Sequence, residues 1–162
     1  MKAIKPVYII LFFIIIYMVG LVGLSLPGYR GLFQELTPAN LLLAAVILFS
    51  FHKNRNIRHI IAFVLVFVLG FMVELAGVHT GLVFGSYHYG ETLGPKLMDT
   101  PLIIGVNWLM LVYMVYAITQ KMELNFISQV ITGAFILLLY DLLLEPVAIQ
   151  LDFWSWGGSG IP

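Results

Sequence analysis

The chain has 162 residues, of which 61% are hydrophobic and only 10% are charged, and its formal net charge is zero. Soluble domains carry about 25% charged residues, so this composition excludes a cytosolic enzyme, a nucleic-acid-binding protein and a disordered tail. The absence of cysteine excludes disulfides, thiolate nucleophiles, iron–sulfur clusters and zinc–thiolate sites. We therefore predict an integral membrane protein.

Five apolar stretches are candidates to cross the hydrocarbon core, which takes about 20 mostly apolar residues. The first is predicted to be a retained anchor, because its apolar run exceeds the roughly 7–15 residues of a signal-peptide core and no cleavage site follows. The second is short and begins at Thr37 and Pro38, a capping residue followed by proline at the first helical position. The predicted spans are 6–26, 37–51, 60–78, 101–119 and 126–149.

The basic residues are distributed unequally between the two sides of the membrane. The excess on one side predicts a cytoplasmic N-terminus and a multi-pass protein of the cell membrane. With loops this short, we expect residues 1–162 to form a single all-α polytopic bundle. The cytoplasmic side would hold Lys2, Lys5, Lys53, Arg55, Arg58 and Lys121, and the outer side Arg30 and Lys96.

One connection is long and has an unusual composition. Residues 78–100 are rich in glycine, tyrosine and histidine rather than serine or lysine. This composition favours a structured re-entrant or interfacial cap over a flexible linker, and the predicted orientation places the cap on the outer side. The tail after residue 151 is also aromatic and glycine-rich and has no closing helix, so we expect the chain to be C-terminally incomplete.

Three carboxyl groups fall inside predicted spans: Glu74, Asp141 and Glu145. An ionisable side chain in a span costs about 2.5–3.5 kcal/mol on insertion scales and faces the bundle interior by default. Asp141 and Glu145 are four residues apart and share one helical face. Glu74 shares a face with glycines that would let a neighbouring backbone approach closely; a hydrogen-bonded packing residue is its alternative interpretation. These glycines are Gly70, Gly77 and Gly81.

These acids are predicted to lie at similar depths in the membrane. With a rise of about 1.5 Å per residue, Glu74 lies ~21 Å from the start of its span, Asp141 ~22 Å and Glu145 ~28 Å. Trp108 lies about 10 Å below the outer end of the fourth span. All four are therefore predicted to meet in the outer half of the bilayer, beneath the cap.

Pro146 directly follows the second acid of the fifth span. Because proline has no N–H to donate to the carbonyl of Leu142, we expect the helix to kink or open there. Helices broken at membrane depth are tolerated where they line a buried cavity. An ordinary proline kink is an equally good interpretation.

Clustered carboxyl groups in an apolar pocket suit acid chemistry. Loss of hydration favours the neutral form, so at least one of them is expected to donate a proton. Nearby aromatic faces stabilise cations, and the combination suits protonation of an alkene. For Trp154 and Trp156 a place in the interfacial aromatic belt is the commoner interpretation. The aromatic candidates are Tyr87, Tyr89, Trp108, Tyr140, Trp154 and Trp156.

Other reaction classes lack their motifs. Prenyl-diphosphate chemistry needs paired Asp-rich magnesium motifs and basic phosphate clamps, and a membrane di-iron enzyme needs many histidines. His52, His59, His79 and His88 stand in unrelated places. We therefore predict no metal and no redox cofactor. A proton-coupled carrier stays as an alternative, since intramembrane acids also relay protons.

The pattern E-x-x-G-x-x-T-G-x-x-F-G-x-Y-x-Y, from Glu74 to Tyr89, resembles the membrane carotenoid-biosynthesis hydratase family. The resemblance continues through Leu93-Gly94, Pro101 and Trp108, then through D-x-x-x-E-P at 141–146 and W-x-W at 154–156. It covers roughly residues 71–162.

The resemblance implies addition of water across the terminal carbon–carbon double bond of an acyclic polyene, through a tertiary carbocation, to give a tertiary alcohol. Asp141 or Glu145 would be the general acid, and the other carboxylate or Glu74 would orient the attacking water. Residues expected to contact substrate are Thr80, Tyr87, Tyr89, Asn107, Trp108, Tyr140, Trp154 and Trp156. Residues expected to shape the site are Gly77, Gly81, Gly85 and Pro146.

The resemblance also implies the partners of the protein. These are a carotenoid and water, membrane lipid, and either a second copy or other carotenoid enzymes, without a cofactor. A non-catalytic subunit of a cyclase-like complex is a further alternative.

Overall fold

The computed structural model describes residues 6–53 and 56–157. Five helical segments in these ranges are long and apolar enough to cross a membrane, which confirms the predicted all-α polytopic fold. Lys2, Lys5 and Arg55, which contributed to the predicted orientation, lie outside the described residues, as does the end of the tail, and the orientation stays a prediction. The five segments are Val7–Ser25, Arg30–Ser50, Ile57–Thr80, Ile103–Met122 and Phe126–Gln150.

The observed elements follow the predicted spans closely and add short pieces between them. The helices are α1 (Pro6–Ser25), α2 (Arg30–Glu35), α3 (Thr37–Ser50), α4 (Ile57–Thr80), α5 (Ile103–Thr119) and α6 (Phe126–Gln150), with a 3₁₀ turn at Gln120–Met122. The strands are β1 (Tyr87–Tyr89), β2 (Lys96–Leu97), β3 (Thr100–Pro101) and β4 (Trp154–Trp156). The fourth span starts at residue 103 rather than 101, because Thr100 and Pro101 belong to β3.

Two of the long helices begin with the same device. Asn56 before α4 and Asn125 before α6 both have extended backbones, and each side chain accepts a hydrogen bond from a backbone N–H three residues later. These bonds, to His59 and Ser128, measure 3.1 and 3.0 Å and satisfy an N–H that the helix leaves unpaired. At the other end of α4, Gly81 adopts φ +66°, the left-handed conformation that commonly ends a helix.

The chain divides into two compact units, one ending at Thr37 and the other beginning at Pro38. In the first, α1 and α2 contact each other, with the ring of Phe33 against Gly23. In the second, α4 and α6 both pack on α5. Every residue proposed from the sequence for the functional site lies in the second unit.

Glycines let α4 and α5 approach by receiving large side chains. A Cβ added at Gly70 would lie 2.5 Å from the Cβ of Trp108, and one at Gly105 would lie 2.7 Å from the ring of Phe67. Each helix therefore places an aromatic residue over a glycine of the other. The glycine face of α4 was predicted to receive a neighbouring backbone; at Gly70 it receives the side chain of Trp108 instead.

Two small antiparallel sheets structure the predicted cap. Strand β1 pairs with β4 in the register Tyr87↔Trp156, His88↔Ser155 and Tyr89↔Trp154, and we call this pair the aromatic ribbon. Strands β2 and β3 pair in the register Lys96↔Pro101 and Leu97↔Thr100. The tail is thus a strand of the cap rather than a separate segment.

Replacing Gly70 with alanine is expected to lower the melting temperature of the detergent-solubilised protein. The new methyl group would overlap Trp108, and overpacking of this kind costs about 1–3 kcal/mol. The matched control is Gly20→Ala in α1, where no atom lies within 4 Å of the added Cβ; helical alanine is favoured over glycine by about 0.5–1 kcal/mol. Thermal unfolding followed by circular dichroism measures both. Equal melting temperatures for Gly70→Ala and the parent would contradict the described packing of α4 on α5.

Candidate active site

Glu74, buried near the end of α4, accepts hydrogen bonds from three aromatic side chains. Its Oε2 accepts from the hydroxyl groups of Tyr87 and Tyr89, each at 2.7 Å. Its Oε1 accepts from the indole N–H of Trp108 at 2.8 Å. Both oxygens of this carboxyl group are therefore satisfied by neutral donors from β1 and α5.

Local sequence explains how the two tyrosines reach Glu74. Alternate residues of a strand point to the same side, so Tyr87 and Tyr89 are buried while His88 between them is exposed. Gly77, one turn beyond Glu74, leaves room for a phenol, since a Cβ there would lie 2.9 Å from the Tyr87 hydroxyl oxygen. Gly85 has φ +93°, which favours glycine where the chain turns toward β1.

Glu145, buried on α6, is bound in the same way by the tail. Its Oε1 accepts from the indole N–H of Trp156 at 2.5 Å. The indole N–H of Trp154 lies 3.1 Å from Oε1 and 3.2 Å from Oε2. Both tryptophans are thus partners of a buried carboxyl group, although a belt position is the commoner use of tryptophan near a membrane boundary.

The aromatic ribbon joins these two carboxyl groups into one site. Its register places Tyr87 opposite Trp156 and Tyr89 opposite Trp154, with ring centroids 5.7 and 6.4 Å apart. One side of the ribbon thus presents four donors, two to Glu74 on α4 and two to Glu145 on α6.

Burial of the ribbon also changes the acidity of its phenols. Loss of hydration is the main cause and the charge of Glu74 the second, and together they raise the pKa of Tyr87 and Tyr89 well above its ordinary value. Both residues therefore keep their protons and remain donors.

The third carboxyl group, Asp141, differs from the other two. It lies one turn before Glu145 on α6, is exposed at the surface of the described chain, and interacts electrostatically with Glu145 and Glu74. No hydrogen-bond donor contacts it among residues 6–53 and 56–157. Helix α6 continues through Pro146 as far as Gln150, so it does not open beside the acids.

Thr80 and Asn107, two further residues proposed from the sequence, lie outside this network. The hydroxyl group of Thr80 donates to the Ala76 carbonyl at 2.6 Å and so belongs to the end of α4. Asn107 is half-buried on α5, and within the described chain it makes no hydrogen bond to the three carboxyl groups. Tyr140, beside Asp141 in the sequence, is 41% exposed. No three histidine, aspartate or glutamate side chains among the described residues are placed to bind one metal ion.

The sequence predictions missed the residues that hold the ribbon in place. Thr92 donates to the Leu151 carbonyl at 2.8 Å, and the backbone N–H of Gly90 donates to the Phe153 carbonyl at 3.0 Å. Lys96 donates to the Tyr89 carbonyl at 3.0 Å and forms an ion pair with Glu91 at 2.7 Å. The available signal was the two-residue period of Y-x-Y and W-x-W, which is typical of strands.

Comparison with known proteins places the chain in a family. Residues 36–161 match the model of the family described as carotenoid biosynthesis protein. The bisanhydrobacterioruberin hydratase of Haloarcula japonica is 30% identical over 101 residues, which are 59% of this chain and 34% of that protein. The chain thus spans about a third of the length of this relative. No solved structure matches the chain. Since the family match extends over most of the sequence, from α3 to the tail, the chain belongs to the carotenoid biosynthesis protein family.

Proposed function

We propose that the protein adds water across a terminal carbon–carbon double bond of an acyclic carotenoid to give a tertiary alcohol. The observation that carries this proposal is the pair of buried carboxyl groups, Glu74 and Glu145, bound to one aromatic ribbon with Asp141 beside them. The family supports a carotenoid as the substrate class, and the name of the Haloarcula japonica relative supports hydration.

The proposed reaction needs an acid, a stabilised cation and water. A carboxylic acid transfers its proton to the less substituted carbon of the double bond, and the π electrons form the new C–H bond. The tertiary cation left behind is stabilised by negative charge and by aromatic faces. Water then forms the C–O bond and loses one proton, so the net change is the addition of one water molecule.

The surroundings of the site suit such a substrate. Leu142 and Leu143, beside the acids on α6, are 61% and 77% exposed at the surface of the described chain, and Leu138 and Leu139 are also exposed. A polyene dissolved in the bilayer would reach this surface directly, and its polar product end would lie near the ribbon.

Expression of the gene product that contains these 162 residues, in cells that accumulate an acyclic carotenoid, is expected to yield pigments heavier by one water. Chromatography with mass spectrometry of the extracted pigments measures this product. Glu145→Gln should reduce it by at least about 10²-fold, because the change removes a negative charge placed to stabilise the cation. The control is Glu123→Gln, an exposed residue in the turn between α5 and α6, at the other end of these helices.

An unchanged pigment profile, with the protein inserted in the membrane, would contradict the proposed hydration. Substrate-dependent proton flux in vesicles containing the purified protein would then favour the carrier alternative.

Tyr87 and Tyr89 are expected to stay protonated in the folded protein at a pH that ionises ordinary tyrosine. Their pKa is raised, whereas the unperturbed value is about 10. Tyr87→Phe and Tyr89→Phe should therefore leave the phenolate absorbance gained between about pH 9 and about pH 11.5 unchanged. In denaturant, the same variants should each lose the signal of one of eight tyrosines. A loss of equal size in the folded protein would show that these phenols are not held as donors.

A further inference from the structure

We infer that Asp141 alone donates the proton and then recovers one from the added water, whereas Glu74 and Glu145 remain ionised and stabilise the cation. This assignment rests on the proposed hydration and specifies which carboxyl group does what. It follows from the donors around each carboxyl group.

Glu145 faces donors that cannot act as acceptors. An indole N–H only donates, and the N–H groups of Trp154 and Trp156 together reach both carboxylate oxygens. A proton on either oxygen of Glu145 would point at an N–H group. The geometry therefore suits the ionised form, which has no proton to give to a substrate.

Glu74 likewise accepts hydrogen bonds from one indole and two phenols. Trp108 occupies Oε1, and Tyr87 and Tyr89 occupy Oε2. Hydrogen bonds donated to a carboxylate favour its charged form. Glu74 is therefore a second fixed negative charge, and its occupied oxygens make it a poor base.

Asp141 has the opposite environment. Within the described chain it receives no donor, it is exposed on α6, a helix long and apolar enough to cross a membrane, and it lies within electrostatic range of two carboxylates. A third negative charge there would be repelled by the other two and would lack solvation in hydrocarbon. The neutral acid is the stable form, and its exposure places the proton where a polyene from the bilayer can meet it.

The cycle then closes on one residue. Asp141 gives its proton to the less substituted carbon of the double bond, and the tertiary cation forms beside Glu74 and Glu145. Water adds to the cation, and the oxonium ion passes its extra proton to the Asp141 carboxylate, which has become the one carboxylate without donors. Asp141 is neutral again, and one water molecule has been consumed.

The test uses membranes from cells that express the gene product, supplied with an acyclic carotenoid in D₂O buffer. Two readouts are followed by mass spectrometry: the hydrated product and deuterium on the less substituted carbon of the double bond in the recovered polyene. The second readout reports protonation that reverses before water adds.

Asp141→Asn and Asp141→Ala are expected to lower both readouts by at least about 10²-fold. Added formic acid should restore part of both readouts to Asp141→Ala, in proportion to its concentration, because the position is open to small molecules. It should not rescue Asp141→Asn, whose amide fills the space, nor Glu145→Ala, whose position lies under two indoles. The matched control is Ile131→Ala, which shortens another exposed side chain near the other end of the same helix and should stay within about twofold of the parent.

The outcomes separate the role of Asp141 from the function itself. If the parent membranes give neither readout, the proposed hydration fails. If the parent is active and Asp141→Ala retains more than a tenth of its rate, or formic acid rescues Glu145→Ala but not Asp141→Ala, the hydration stands and the assignment to Asp141 is overturned. Formic acid rescue of Asp141→Ala alone supports the assignment, because a purely structural role would not respond to a free acid.

Discussion

The site depends on one constraint: a carboxyl group buried in a membrane-spanning helix needs hydrogen-bond donors from the protein itself. Glu74 and Glu145 receive theirs from five aromatic side chains, and four of these lie on the aromatic ribbon. Pairing β1 with β4 therefore satisfies two carboxylates at once. The same bonds fix the ribbon over α4 and α6, which both pack on α5.

The glycines of α4 serve this arrangement of donors. Trp108 packs against Gly70, and this contact positions the indole N–H to donate to Glu74, one turn further along α4. Gly77 lies beneath the Tyr87 hydroxyl group and keeps open the path of that phenol to the same carboxylate. A side chain at either position would displace a donor of Glu74. The spacing of glycine and glutamate on one helical face thus has a geometric reason beyond close packing of helices.

Local physical rules made the spans and the convergence of acids predictable from sequence. Apolar length determines where a helix can cross the bilayer, and the fixed rise of a helix predicts that Glu74, Glu145 and Trp108 lie at similar levels along their helices. The ribbon was not predictable in this way, because β1 and β4 have three residues each and pair across 67 positions of the chain. The exposure of Asp141 was not predicted, because residues four apart share a helical face only approximately. Glu145 lies on the buried side of α6, whereas Asp141 is exposed.

The choice of neutral donors bears on the proposed chemistry. Lys96 contacts the ribbon at the Tyr89 carbonyl and binds Glu91, and no lysine or arginine among the described residues contacts Glu74 or Glu145. A lysine or arginine bound to either carboxylate would cancel its charge and weaken the attraction for a cation. Phenol and indole donors hold a carboxylate in place without neutralising it, and their rings offer negative faces as well. In the proposed reaction, the negative charge of the site is therefore neutralised only when the carotenoid becomes a carbocation. The site thus stabilises the cationic intermediate more than the neutral substrate.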